Sequence, residues 1–163
     1  MANRLVVGGL GGPFLLTGGL AGVTTAPFDQ ELQTYLAARL GTPVYPDDHV
    51  AQVLALPAFT YTLVGEDPYY TLRAAAGLTA KVYQFDSWAT SKLAAARMEL
   101  ALRGALHGFR GMMGGTYVSG CRLRNCLDMP YEPNVDGSDG GTYRRVAEYR
   151  IAYREPVPIF VSN

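Results

Sequence analysis

Charge is what this sequence has least of. Only 17% of its 163 residues are Asp, Glu, Lys or Arg, against about a quarter in an ordinary soluble domain. Fourteen acids balance fourteen bases, for a formal net charge of zero. No overall field therefore draws the chain to nucleic acid or to an anionic membrane. Cysteine is nearly absent. Cys121 and Cys126 are too few for a secreted disulfide framework. In one regular strand a spacing of five sets them on opposite faces, which forbids a bridge. They are expected as reduced thiols of a cytosolic product. Long hydrophobic runs are missing too: none reaches the ~18 residues a membrane span needs. The apolar stretch after Arg4 is broken by Gly8, Gly9, Gly11, Gly12, Gly18, Gly19 and Gly22, and Pro27 stands where a signal peptide would be cleaved. Secretion is not expected.

Signatures of catalysis are also lacking. There is no G-x-S-x-G, P-loop, H-E-x-x-H or cysteine pair at zinc spacing, so no catalytic, cofactor or metal residues are expected. The two histidines, His49 and His107, are far apart in sequence and are expected to face solvent. Asp47, Asp48 and His49 are adjacent and read as a turn, because neighbouring residues rarely converge on one ion. The acids near 128–139 lack the EF-hand spacing and its closing Glu.

What the chain does have is glycine, tyrosine and apolar ends. With 19 Gly, 11 Tyr and little charge, it has the composition of an assembly subunit whose surface is largely covered. Its length suits one domain. Residues 1–27 form a glycine-rich arm, too costly in backbone entropy to stand alone. The arm is also too apolar, at Leu5, Val6, Val7, Phe14, Leu15 and Leu16, for a solvated linker. It is expected to lie on another subunit. A nucleotide loop is the competing reading of LVVGGLGG, but the G-x-G-x-x-G fingerprint fails at Phe14. The tail 155–163 is apolar again, and Ile159 and Phe160 are expected to dock on a neighbour.

Residues 28–154 read as an α+β domain. A first helix spans Phe28 to Leu40, capped by Asp29, packing Leu32, Tyr35, Leu36 and Leu40, and stopped by Gly41. A short edge strand is expected at Val44-Tyr45, then a brief helical turn from Asp48 through Leu54. Pro57 to Val64 alternates Phe59, Tyr61 and Leu63 against Thr60 and Thr62, the mark of a half-buried strand. Gly65 to Tyr70 reads as a turn, and Thr71 to Gly77 as a weak strand or a loop.

Lys81 to Ser87 is a strand that runs into the longest helix, Ser91 to His107, with Asp86 or Thr90 as its cap. That helix shows two apolar lines: Leu93, Ala96 and Leu100, then Met98, Leu102, Ala105 and Phe109. Lys92, Arg97, Glu99 and Arg103 remain for water or a partner. A glycine-rich break at 111–115 precedes a long hairpin, Thr116 to Leu127 and Thr142 to Arg154. Tyr149, Ile151 and Tyr153 share one face of its second arm. The arginines at 122, 124, 144, 145, 150 and 154 are expected to pair with acids or a neighbouring chain, since no aromatic RNA-stacking motif accompanies them. The sum is an antiparallel sheet of about four strands with two main helices on one face, in the order α-β-β-α-β-β.

The ordered set of FDQELQTYLAARL, the VYP turn, the strand start at Pro57 to Tyr61, VYQFDSWATS leading into a helix that ends LHGF, and TYRRVAEYRIAYR resembles a known family. It is similar to the small tail completion (tail terminator, tail-to-head joining) proteins of long-tailed bacteriophages. The likeness runs from about Phe28 to Arg154 and leaves the glycine arm outside it. It implies a ring, typically a hexamer, that closes the tail tube and joins it to the head connector at the head–tail interface of a virion assembled in the host cytoplasm. Genomic DNA passes through its channel, and there are no catalytic or cofactor residues to carry over. On that reading Asp128, Glu132, Asp136 and Asp139 sit on an acidic loop facing the channel, where they repel phosphate. A head-side closure adaptor is the near alternative. A small-ligand or nucleotide-binding α+β domain using the glycine arm is the alternative from another class.

Overall fold

A computed structural model describes residues 27–46, 55–72, 75–133 and 140–156. The chain runs α1 (Phe28–Leu40), β1 (Val44–Pro46), β2 (Ala58–Tyr70), β3 (Ala75–Ala89), α2 (Lys92–Leu106), β4 (Gly111–Met113), β5 (Thr116–Asp128), β6 (Glu132–Pro133) and β7 (Gly141–Arg154). Among the described residues the strands form one seven-stranded sheet in the order β1-β2-β3-β7-β5-β4, with β6 alongside β7. The expected α+β class holds, whereas the expected four strands do not. The sheet is also not purely antiparallel, because β1 pairs in parallel with β2, Val44 opposite Phe59.

One face of the sheet carries the core. Phe59, Tyr61, Tyr83, Phe85, Tyr149 and Ile151 pack with Leu32 and Leu36 of α1 and Leu102 and Leu106 of α2. Burial of each such side chain contributes roughly 1.5–3 kcal/mol, so this layer dominates the favourable side of folding. The alternation Tyr149, Ile151, Tyr153 lies on it as the sequence pattern predicts.

Several expectations are corrected in detail. Asp29 does not cap α1: Pro27 holds the N-cap without a side-chain bond. Asp29 instead accepts the Tyr83 hydroxyl at 2.6 Å and the Lys81 ammonium at 3.3 Å, tying the helix start to β3. Gly41 closes α1 in the left-handed conformation at φ 60°, where glycine carries no Cβ penalty. Ser91, rather than Asp86 or Thr90, caps α2 by accepting the Ala94 N–H at 3.2 Å. The buried line of α2 is Ala95, Glu99, Leu102 and Leu106, while Leu93 and Leu100 are exposed at 62% and 64%. Glu99 was expected to face water. It is buried because Arg103, one turn on, wraps its Nε and Nη2 onto Glu99 Oε1 at 2.9 and 2.7 Å, a charge-assisted pair at helical spacing.

The segment 65–70 is strand rather than turn. β2 continues through Gly65, with a register shift between Leu63 and Gly65 that absorbs the irregularity. Another shift, between Leu123 and Asn125 in β5, changes the reading of the cysteines. Cys121 lies opposite Ile151 and Cys126 opposite Ala147, so both face the helices. The bulge adds one residue and turns a spacing of five into a same-face spacing of four, about 13 Å along a strand. Both thiols are free.

Candidate functional site

Two features of the sheet meet no helix among the described residues: the long edge of one strand and one face, whose middle is nevertheless buried at Val82, Asp86 and Val146. The edge belongs to β2. β1 pairs only with Phe59, Thr60 and Tyr61, so among the described residues the outer side of β2 from Thr62 to Tyr70 has no neighbouring strand. Exposed Leu63, Val64, Tyr69 and Tyr70 lie along it.

The opposite side of the sheet is built differently. β4 covers β5 only at Thr116, Tyr117 and Val118, yet the next stretch is sealed by the end of α2. The Gly108 N–H donates to the Cys121 carbonyl at 2.8 Å, and the Leu123 N–H donates to His107 Nδ1 at 3.2 Å. Farther on, the Cys126 N–H is met by the Asn125 side chain at 2.9 Å. His107, expected only to face solvent, therefore acts as an edge plug. No sequence pattern announces this, because the contact joins residues sixteen apart through a turn.

The helix-free face is polar and ordered around β3. Asp86, at 1% exposure, is reached by Arg144 at 2.9 Å and accepts Gln84 Nε2 at 3.3 Å on both oxygens. Trp88 donates its indole N–H to the Thr60 hydroxyl at 3.0 Å, and the Arg144 guanidinium lies 4.9 Å from the Trp88 ring centroid. Gln84, Asp86 and Trp88 come from QFDSWA, and alternation along β3 sends them to this face and Phe85 to the core. Beside them is a depression of about 270 Å³ whose lining includes Gln84, Leu127, Arg144, Val146 and Glu148.

Beneath the helices, burial works against a reactive thiolate or phenolate. Burial pushes the Cys121 thiol up to about 12. It also raises the Tyr83 phenol, reinforced by its bond to Asp29. These shifts disfavour the reactive anions. Among the described residues no group of three or more His, Cys, Asp or Glu side chains is placed to hold a metal ion. Nor is any helix long and apolar enough to cross a membrane.

The residues singled out in sequence fall unevenly. Leu5, Val6, Val7, Phe14, Leu15 and Leu16 of the arm, Ile159 and Phe160 of the tail, and Asp136 and Asp139 of the loop lie outside the described residues, as do Asp47, Asp48 and His49. Asp128 is ion-paired with Arg145 at 2.9 Å and Lys92 at 3.4 Å, so two cations answer its charge. Glu132 is exposed in β6, opposite Thr142.

No family model matches the sequence, and no curated protein matches it. Among solved structures, the chain is similar to one from the virion of a native gene transfer agent particle. The identity is 18% and the TM-score 0.49, with 83% of this chain and 97% of that one covered.

Proposed function

We propose that this protein is a structural virion subunit without catalytic activity, and that it forms a ring at the head–tail joint that caps the tail tube and connects it to the head. The observation that carries the reading is the asymmetry of the sheet edges. β5 is plugged by His107 and Gly108, whereas β2 offers an open edge lined by Leu63, Val64, Tyr69 and Tyr70. An open edge with exposed apolar side chains is a liability in a solitary protein and a docking element in an assembly. An edge that paired with its own copy would close a two-fold dimer; in a ring it has to meet a different surface of the next copy, the head-to-tail contact that closes cyclic assemblies. The exposed Leu93 and Leu100 of α2 are suitable surface for that contact. The sequence resemblance from Phe28 to Arg154 supplies the place in the particle, and with it the partners: copies of itself, the tail tube and the head connector.

Light scattering and negative-stain imaging, of the protein alone and on isolated tails, test this. A ring of about six copies, or rings formed only on tail ends, is the expected result. A monomer that never joins tails and gains thermal stability from a nucleotide overturns it in favour of a ligand-binding domain.

A further inference from the structure

The helix-free face is not uniform along β7. At one end the arginines are answered by acids, Arg144 by Asp86 at 2.9 Å and Arg145, on the other face, by Asp128 at 2.9 Å. At the other end they are not. Arg122 of β5 stands directly opposite Arg150 of β7. Facing side chains in an antiparallel pair have Cβ atoms about 4.5–5.5 Å apart, and like charges there are destabilising. Neither residue has an ion pair among the described residues.

Their company is tyrosine instead. Arg150 donates to the Tyr69 hydroxyl and its guanidinium lies 5.7 Å from that ring's centroid. Arg154 lies 5.4 Å from the centroid of Tyr117, whose hydroxyl accepts Arg110 Nε at 3.1 Å. Phenols position guanidinium groups without neutralising them. Between the row of Arg122 and Arg150 and the position of Arg154 runs a row of Ala80, Ala152 and Gly120. The arginines thus flank a floor of minimal side chains. Two carboxylates share this face near them: Glu148, one row from Arg150, and Asp67, opposite Ala80. Neither bonds to an arginine, so among the described residues Arg110, Arg122, Arg150 and Arg154 outnumber the two acids.

We infer that this end of the helix-free face binds the phosphate backbone of duplex DNA without reading its sequence. The features favour phosphate over an acidic protein surface. A protein interface needs buried apolar or aromatic anchors at its centre, and the centre here is alanine and glycine. Arginine forks, exposed at Arg122 and Arg154 and half-buried at Arg150, offer paired donors to phosphate oxygens, and backbone contact carries no sequence information. The inference goes beyond the ring reading and rests on it only for placing the duplex in a channel; Asp128 and Glu132, expected to repel phosphate, lie at the other end of β7, opposite Arg145 and Thr142.

The test uses the full chain and a fluorescein-labelled duplex of about 30 base pairs of mixed sequence, with anisotropy followed across a salt series. Neutralising about four phosphates gives a slope of log K against log salt near −3.6. The variant R122Q/R150Q/R154Q is expected to lose at least tenfold in affinity at low salt and most of that slope. R122Q/R154Q, which leaves the Tyr69 contact intact, is expected to lose an intermediate amount, and far-UV dichroism checks that both remain folded. R97Q, on exposed α2, is expected to bind as the native chain does. Absence of binding at low salt, an unchanged triple variant, or a preference for polyglutamate over duplex overturns the inference. Rings on tails without duplex binding sink this inference alone. Duplex binding by a protein that never assembles sinks the ring reading alone.

Discussion

Arg144 of β7 reaches the Asp86 carboxylate of β3 at 2.9 Å, and the two side chains differ sharply in exposure, 24% for the arginine and 2% for the aspartate. That inequality decides what each substitution does. Removing Asp86 leaves a guanidinium that can swing toward water and still rest on Trp88, 4.9 Å from its ring centroid. Removing Arg144 strands a buried carboxylate whose remaining side-chain donor is Gln84. Stranding a buried charge costs about 3–5 kcal/mol. Urea unfolding is therefore expected to rank Arg144→Ala as the worse of the two, with Asp86→Ala costing about half as much. Equal losses, or the reverse order, would show that the pair is not organised by burial.

Alkaline pH should weaken the fold earlier than its net charge suggests. The Cys121 thiol is pushed from 9.0 up to about 12 by burial, and burial also raises Tyr83, Tyr149 and Tyr153. Each raised acid stays protonated in the folded chain after the unfolded chain has lost its proton. The unfolded state then binds fewer protons, so stability falls as pH rises. For Cys121 the loss begins near pH 9 and runs at about 1.4 kcal/mol per pH unit until its folded value is reached. Cys121→Ala is expected to be less stable at pH 7 but to show a shallower decline between pH 9 and 12. An unchanged slope in that variant would remove the thiol from the account.

His107 offers a test of edge protection that is local. Its Nδ1 accepts the Leu123 N–H at 3.2 Å, so His107→Ala frees that amide and opens the outer side of β5. Losing one partly exposed bond of this kind costs about 1 kcal/mol, too little to unfold the domain. Hydrogen exchange is expected to speed up at Leu123 while the amides of β3 and β7 stay protected. The variant should also aggregate more readily than the native chain. Undiminished protection at Leu123 would mean that the ring is not the plug.

These three sites differ in how visible they were in sequence. The core faces of β3 and β7 were legible because strand alternation is strict there: Tyr83 and Phe85 on β3, Tyr149, Ile151 and Tyr153 on β7. α1 was legible from its spacing and from Gly41. Bulges were not. Register shifts at Leu63/Gly65 and Leu123/Asn125 let β2 run on through Gly65 and Pro68 and brought both cysteines to one face. The α2 stripe departs from the expected one because Arg103 sets both Nε and Nη2 on Glu99 Oε1 and so lets that carboxylate be buried, while Leu93 and Leu100 stay outside. Contacts set by tertiary geometry, such as His107 on Leu123 or Arg122 opposite Arg150, have no local signature.

The open edge of β2 gives the sharpest test of assembly. Val64 is 54% exposed and sits at the register shift between Leu63 and Gly65, on the stretch beyond the last β1 partner, Tyr61. Its side chain contributes little to the monomer, so Val64→Lys should change unfolding free energy by no more than about 0.5 kcal/mol. A lysine on an edge strand is also the device by which natural sheets refuse a further partner. The expected outcome is a folded chain that fails to form rings and no longer joins isolated tails. Tyr70→Ser, at 73% exposure, is expected to act in the same direction more weakly, because it removes apolar contact without adding charge. If both variants assemble as the native protein does, the β2 edge is not the joint between copies, and the exposed Leu93 and Leu100 face of α2 becomes the surface to substitute next.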